Sequence, residues 1–136
     1  MDILVSKEQR NVPVTIVRIE GKLDGQSYQE LIRKARELYE VGARDLLLDL
    51  GALTYISSAG IVALHTIALL MRGEALPDLE QGWATVKSVD RTRQAGIQKH
   101  VKLLDVRPEV NSVLDMVGLK TFFESFTDRE AALGSF

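Results

Sequence analysis

The chain has 136 residues, 46% of them apolar and 26% charged, with a formal net charge of −2. That composition describes one soluble globular domain around a single core, and its near-neutral balance gives no general attraction to nucleic acid or an anionic membrane. The chain contains no cysteine, which excludes disulfides, thiol nucleophiles and thiolate metal sites and suits a reducing compartment.

The opening Met1-Asp2-Ile3-Leu4-Val5 lacks the basic region and long apolar core of a signal peptide, so a cytoplasmic protein is expected. Residues 3–6 form a short strand candidate. Residues 12–20 predict a second strand, rich in the β-branched Val12, Val14, Ile16 and Val17 and bounded by Asn11 and Gly21. Pro13 near its start marks an edge or a strand end. Residues 27–41 read as a helix, with Tyr28, Leu31, Ile32, Ala35, Leu38 and Tyr39 on one face and Arg33, Lys34, Arg36 and Glu37 on the other. Ser27 and Glu30 have the spacing of a capping box, and Gly42 follows the end.

Residues 45–50 are a continuous apolar run with little alternation, as in a strand covered on both faces or deep in a sheet. Residues 53–56 lead from it to Ser57 and Ser58. From Ser58 to Met71 the chain is apolar almost all round, which predicts a largely buried helix that is too short to span a bilayer. Residues 101–106 predict another strand, stopped by Arg107-Pro108. Pro108 fits the first turn of a helix whose stripe is Val110, Val113, Leu114 and Val117, ended by Gly118. Residues 121–126 form the last strand, and Thr127 with Glu130 has the spacing to cap a short terminal helix. Strands alternating with helices after an opening pair imply an α/β fold with a mostly parallel sheet. Residues 73–100 are the exception: polar, glycine-bearing and long for a connection, they read as an insertion with some helix around 79–89. Trp83 is its one tryptophan, an anchor either for a partner or back onto its own domain.

The serine pair carries the chemistry. A strand ending near Ile56 and a helix starting near Ser58 place both serines at a helix N-terminus, where four backbone N–H groups lack intrahelical partners. A hydroxyl there can simply cap the helix. The same end of the helix dipole also tolerates negative charge, so a phosphate on Ser58 could be held without disturbing the fold. Ala59 and Gly60 leave room for a partner or kinase to approach the backbone. A hydrolase elbow needs glycine two positions before the nucleophile, where Ser58 has Ile56. His65 and His100 are the only imidazoles, and His65 reads as a packed helix residue.

Three phrases resemble the STAS family, the domain of bacterial anti-sigma factor antagonists. Gly21-Lys22-Leu23-Asp24 is similar to its Gly-x-Leu-Asp phrase after the second strand. Leu48-Asp49-Leu50 through Leu53-Thr54-Tyr55-Ile56-Ser57-Ser58-Ala59-Gly60 resembles its strand followed by Asp-Ser-Ser-Gly. Val113-Leu114-Asp115-Met116-Val117-Gly118-Leu119, with Phe122 and Phe123, resembles its third helix and the exit to the last strand. The similarity covers nearly the whole chain outside residues 73–100, so one STAS domain over 1–136 with an enlarged connection is expected. Its sheet would hold four to five strands, with helices chiefly on one face.

The resemblance implies a regulatory interaction module with no enzymatic activity, cofactor or metal. Its partner would be an anti-sigma factor of the serine kinase type. There would be no direct contact with nucleic acid or membrane, and a second copy of the chain is a further candidate partner. The implied phosphoacceptor is Ser58, with Ser57 the alternative, and the implied partner contacts are Asp24, Ser57, Ser58, Ala59 and Gly60. Phosphorylation would block binding of the anti-sigma factor. The chain departs from the family phrase at Ser57, where an aspartate is usual, at Ala59, where the second serine is usual, and in the length of 73–100. An unphosphorylated scaffold or sensor in a larger assembly is the competing reading, and a small anion- or nucleotide-binding domain a third.

Overall fold

The apolar run at residues 45–50 lies at the centre of the molecule. In the computed structural model, which describes residues 1–73, 98–119 and 122–136, it belongs to a strand, β3 (Leu46–Ile56), in the middle of a five-stranded sheet. Before it come β1 (Asp2–Gln9), β2 (Pro13–Leu23) and α1 (Tyr28–Glu40). After it come α2 (Ser58–Met71), β4 (Gln98–Leu104), α3 (Pro108–Met116), β5 (Phe123–Phe126) and α4 (Arg129–Gly134). The strands lie side by side in chain order. β1 and β2 are antiparallel and every other neighbouring pair is parallel, the α/β arrangement expected.

Successive side chains of a strand point to opposite faces, and the two faces bury different layers. Val17 and Ile19 of β2, Leu46, Leu48 and Leu50 of β3, and Val101 and Leu103 of β4 meet the apolar faces of α1, α2 and α3. The alternate residues Val14, Ile16, Leu47 and Leu104 meet Ala132 and Leu133 of α4 on the other face. Among the described residues three helices thus share one face and a six-residue helix covers part of the other. This explains the missing alternation in β3: Leu46, Leu47 and Leu48 are each 0% exposed although they point both ways. Each such leucine stabilises the fold by roughly 1.5–3 kcal/mol.

The ends of elements differ from expectation for local reasons. The Ser27–Glu30 box does not form. Ser27 has near-helical angles (φ −115, ψ −17) and makes no side-chain cap; its Oγ lies 2.9 Å from the Lys22 carbonyl and accepts from the Asp24 N–H at 3.0 Å. Thr127 is not the cap of α4 either. Asp128 is, its carboxylate accepting from the Ala131 N–H at 3.2 Å. Glu130 instead takes two hydrogen bonds from Arg10, of 3.1 and 3.0 Å, which hold its carboxyl below the usual range. Pro13 is the first residue of an inner strand, so it marks an end and not an edge. β3 is one strand through to Ile56, with a register shift near Gly51, and β4 begins at Gln98, ahead of the expected 101. Trp83, the helix expected around 79–89 and Thr121 lie outside the described residues.

Candidate functional site

Two neighbouring parallel strands end at the same level. Leu23, the last residue of β2, is the register partner of Ile56, the last of β3. The Ser57 N–H then donates to the Leu23 carbonyl at 3.0 Å. This one bond sets the loop from Asp24 to Ser27 beside the Ser57-Ser58 junction at the C-terminal end of the sheet.

Ser57 is the N-cap of α2. Its backbone is extended (φ −99, ψ 179), and its Oγ accepts from the Gly60 N–H at 3.4 Å, a long and weak bond. Ser58 is the first helical residue and is exposed, whereas Ser57 and Ala59 are half-buried. The first turn of α2 carries no acidic side chain, so the partial positive charge of its N–H groups and dipole is not offset within the turn. Most of the rest of the helix is buried, with Val62 and Leu69 half-buried, and Ser58 is its one exposed residue.

Gly60 differs from the expected open approach, because it is buried. A Cβ there would lie 2.5 Å from Ile56 Cγ1 and 2.8 Å from the Leu23 carbonyl oxygen. The missing side chain lets α2 press onto the ends of β2 and β3, and it offers no surface to a partner.

Asp24 shapes its own turn. Its Oδ1 accepts from the Gln26 N–H at 3.0 Å, and its carbonyl accepts from the N–H groups of Ser27 and Tyr28 at 3.2 and 2.9 Å. The side chain is half-buried, and the following Gly25 stands in open space. Lys22 and Tyr55, which sequence reasoning did not single out, face each other in the β2–β3 register next to this junction. Both are exposed, Tyr55 to 48%. The signal for Tyr55 was the one aromatic residue of a leucine-rich strand, two positions before Ser57.

The imidazoles lie elsewhere. His65 is 0% exposed, and burial first and the Arg72 charge second push its pKa down to about 4. It sits two helical turns below Ser58, about 10 Å along the axis. His100 Nδ1 is 3.0 Å from Asp45 Oδ1, at the opposite end of β3. Among the described residues no helix is long and apolar enough to cross a membrane, and no group of three or more His, Cys, Asp and Glu is suited to a metal ion.

Known proteins share this architecture. A Bordetella bronchiseptica protein named as a candidate anti-sigma factor antagonist, BtrV, is 25% identical over 121 residues, covering 89% of this chain and 84% of its own. A crystal structure of an anti-sigma factor antagonist from Mycobacterium paratuberculosis matches with a TM-score of 0.63 at 16% identity, over 97% of this chain and 92% of that one. The Bacillus cell fate determinant SpoIIAA, in its phosphorylated form, matches with a TM-score of 0.55 at 16% identity, over 96% of each chain. At these identities the solved structures establish a shared fold. The STAS domain itself matches residues 4–73, from β1 through the serine junction to the end of α2, and this chain belongs to the STAS domain family.

Proposed function

We propose that this protein is an anti-sigma factor antagonist that binds an anti-sigma factor of the serine kinase type through the surface around Ser58 and is released from it when Ser58 is phosphorylated. The observation that carries this reading is the position of Ser58: the exposed first residue of a helix whose body is buried and whose first turn holds no acid. A phosphate there adds about −1.5 to −2 charges at the positive end of a helix, which the protein's own fold tolerates. The same charge in a contact surface that includes Ala59 and Tyr55 imposes desolvation and repulsion on a bound partner. Ser57 is the weaker acceptor, because its hydroxyl caps α2.

In this reading Asp24, Ser57, Ser58 and Ala59 form the contact surface, Lys22 and Tyr55 extend it, and Gly60 sets the depth at which α2 sits. Residues 1–136 act as one STAS unit in the cytoplasm, by binding and not by catalysis, without a cofactor. The names of the Bordetella and Mycobacterium relatives support the antagonist role, and the phosphorylated form of SpoIIAA supports the switch. A second reading, an unphosphorylated scaffold in a larger assembly, is favoured by Ser57 itself, which stands where the family phrase has a carboxylate.

Intact mass and site mapping on protein isolated from growing and stressed host cells separate the two. The switch requires one phosphate on Ser58 whose occupancy changes with condition, and Ser58→Ala and Ser58→Asp should then bind the partner oppositely. Absence of phosphate in every condition removes the switch and leaves the scaffold. Phosphate on Ser57 alone keeps the switch and moves its residue.

A further inference from the structure

Among the described residues, β1 presents the longer open edge of the sheet. It has eight residues and pairs only with β2, whereas β5 at the other edge has four. Soluble proteins usually block such an edge with proline, lysine, a bulge or a covering element. The strand holds no proline, its one lysine, Lys7, lies in the second half beyond the apolar Ile3-Leu4-Val5, and the β1–β2 register runs without a shift. The edge is apolar on both faces instead. Ile3 and Val5 lie opposite Ile19 and Val17 on the face that packs against the helices, and Leu4 lies opposite Arg18 on the other. Leu4 is 53% exposed and Val5 37%, two of the five large apolar side chains exposed among the described residues.

We infer that this edge binds a second copy of the chain, by antiparallel β1–β1 pairing about a two-fold axis at Leu4 that joins two sheets into one. An axis perpendicular to the sheet keeps each face continuous, so facing residues must come from the same face of the two copies. Centred on Leu4, the pairing sets Leu4 against Leu4, Ile3 against Val5 and Asp2 against Ser6 of the second copy. Centred on Val5 it would set Asp2 against Glu8, a like-charge pair, and Ile3 against Lys7. Centred on Ser6 it would set Leu4 against Glu8 and Val5 against Lys7. The Leu4-centred register also sets Met1 against Lys7 at its margin, but it is the one of these three that pairs Ile3, Leu4 and Val5 only with apolar residues, and such cross-strand pairs are what stabilise a sheet.

The flank agrees. A groove beside β1 is lined by Asp2, Ile3 and the α1 residues Glu30, Arg33, Lys34 and Glu37. The two-fold axis brings both α1 helices to the same side of the joined sheet. Two acids and two bases on each helix wall carry no net charge, so the copies approach without net repulsion. The interface stands independently of Ser58, which follows a different strand.

Sedimentation of the full chain across the micromolar range should show a concentration-dependent dimer. Leu4→Lys and Val5→Lys, checked for native circular dichroism, should each weaken it roughly tenfold or more. The chain is free of cysteine, so single cysteines report the register: under oxidation Leu4→Cys should form a covalent dimer, and Lys7→Cys should not. A monomer at every concentration overturns the inference, and so does a dimer indifferent to both lysine substitutions. Cross-linking through Lys7→Cys as efficient as through Leu4→Cys overturns the register.

Discussion

A methyl group on Gly60 would stand 2.5 Å from Ile56 Cγ1 and 2.8 Å from the Leu23 carbonyl. That carbonyl cannot retreat freely, because it accepts the Ser57 N–H that ties the two strand ends together. Gly60→Ala therefore pushes α2 away from the sheet or breaks the tie. Alanine is the better helix former by about 1 kcal/mol, but overpacking costs about 1–3 kcal/mol and should prevail. Urea unfolding should show Gly60→Ala less stable than the parent, while Ser58→Ala stays within about 0.5 kcal/mol, as expected of an exposed residue. Ser57→Ala, which loses only a 3.4 Å cap, should fall between them. A Gly60→Ala protein as stable as the parent would contradict the packing role. The serines' place at the helix start was legible from the chain alone, because a change of period is a local signal. The inward turn of Gly60 was not, since it depends on how α2 lies over two strands distant in sequence.

The described elements were legible in order and type, and what sequence could not supply was their covering. Nothing in Val101-Lys102-Leu103-Leu104 itself announces that a helix covers the lysine. In the fold α4 lies over it: Lys102 is 4% exposed, and its Nζ donates to Ser135 at 2.9 Å (carbonyl) and 3.0 Å (Oγ). The rings of Phe136 and Phe126 lie 4.8 and 5.9 Å from the same nitrogen. Capping was misread for a related reason. Spacing nominates several acceptors, but backbone angles choose among them, and they choose Asp128 over Thr127. Lys102 therefore holds α4 to the sheet. Lys102→Ala should lose both bonds and the packing of the stem, costing about 2 kcal/mol or more, while Lys102→Met, which keeps an aliphatic stem, should cost less. Amide hydrogen exchange locates the effect: residues 129–134 should lose protection in Lys102→Ala while the α2 amides keep theirs. Uniform loss across the molecule would mean that the lysine supports the whole core and not this helix.

At the scale of the whole molecule, stability depends on keeping α2 dry, and His65 makes that dependence a function of pH. The unfolded imidazole titrates near 6.5, whereas burial, and then the Arg72 charge, hold the folded one at about 4. Between these values the unfolded chain takes up a proton that the folded chain refuses. Stability is therefore fully present above pH 6.5 and falls as pH drops through the window toward 4. A tenfold difference in proton affinity corresponds to about 1.4 kcal/mol, so the loss by about pH 5 should be about 2 kcal/mol. Carboxylates such as Glu130, held below their usual range by Arg10, add their own loss at lower pH, so the parent curve alone does not isolate the histidine. His65→Gln removes the titration and leaves the carboxylates in place. Its absolute stability is immaterial to the test, because the readout is the change in unfolding free energy between about pH 7.5 and about pH 5. The parent should lose about 2 kcal/mol more over that interval than His65→Gln. Parallel losses would show that the buried imidazole stays as easy to protonate in the fold as in the unfolded chain, and that water reaches the middle of α2.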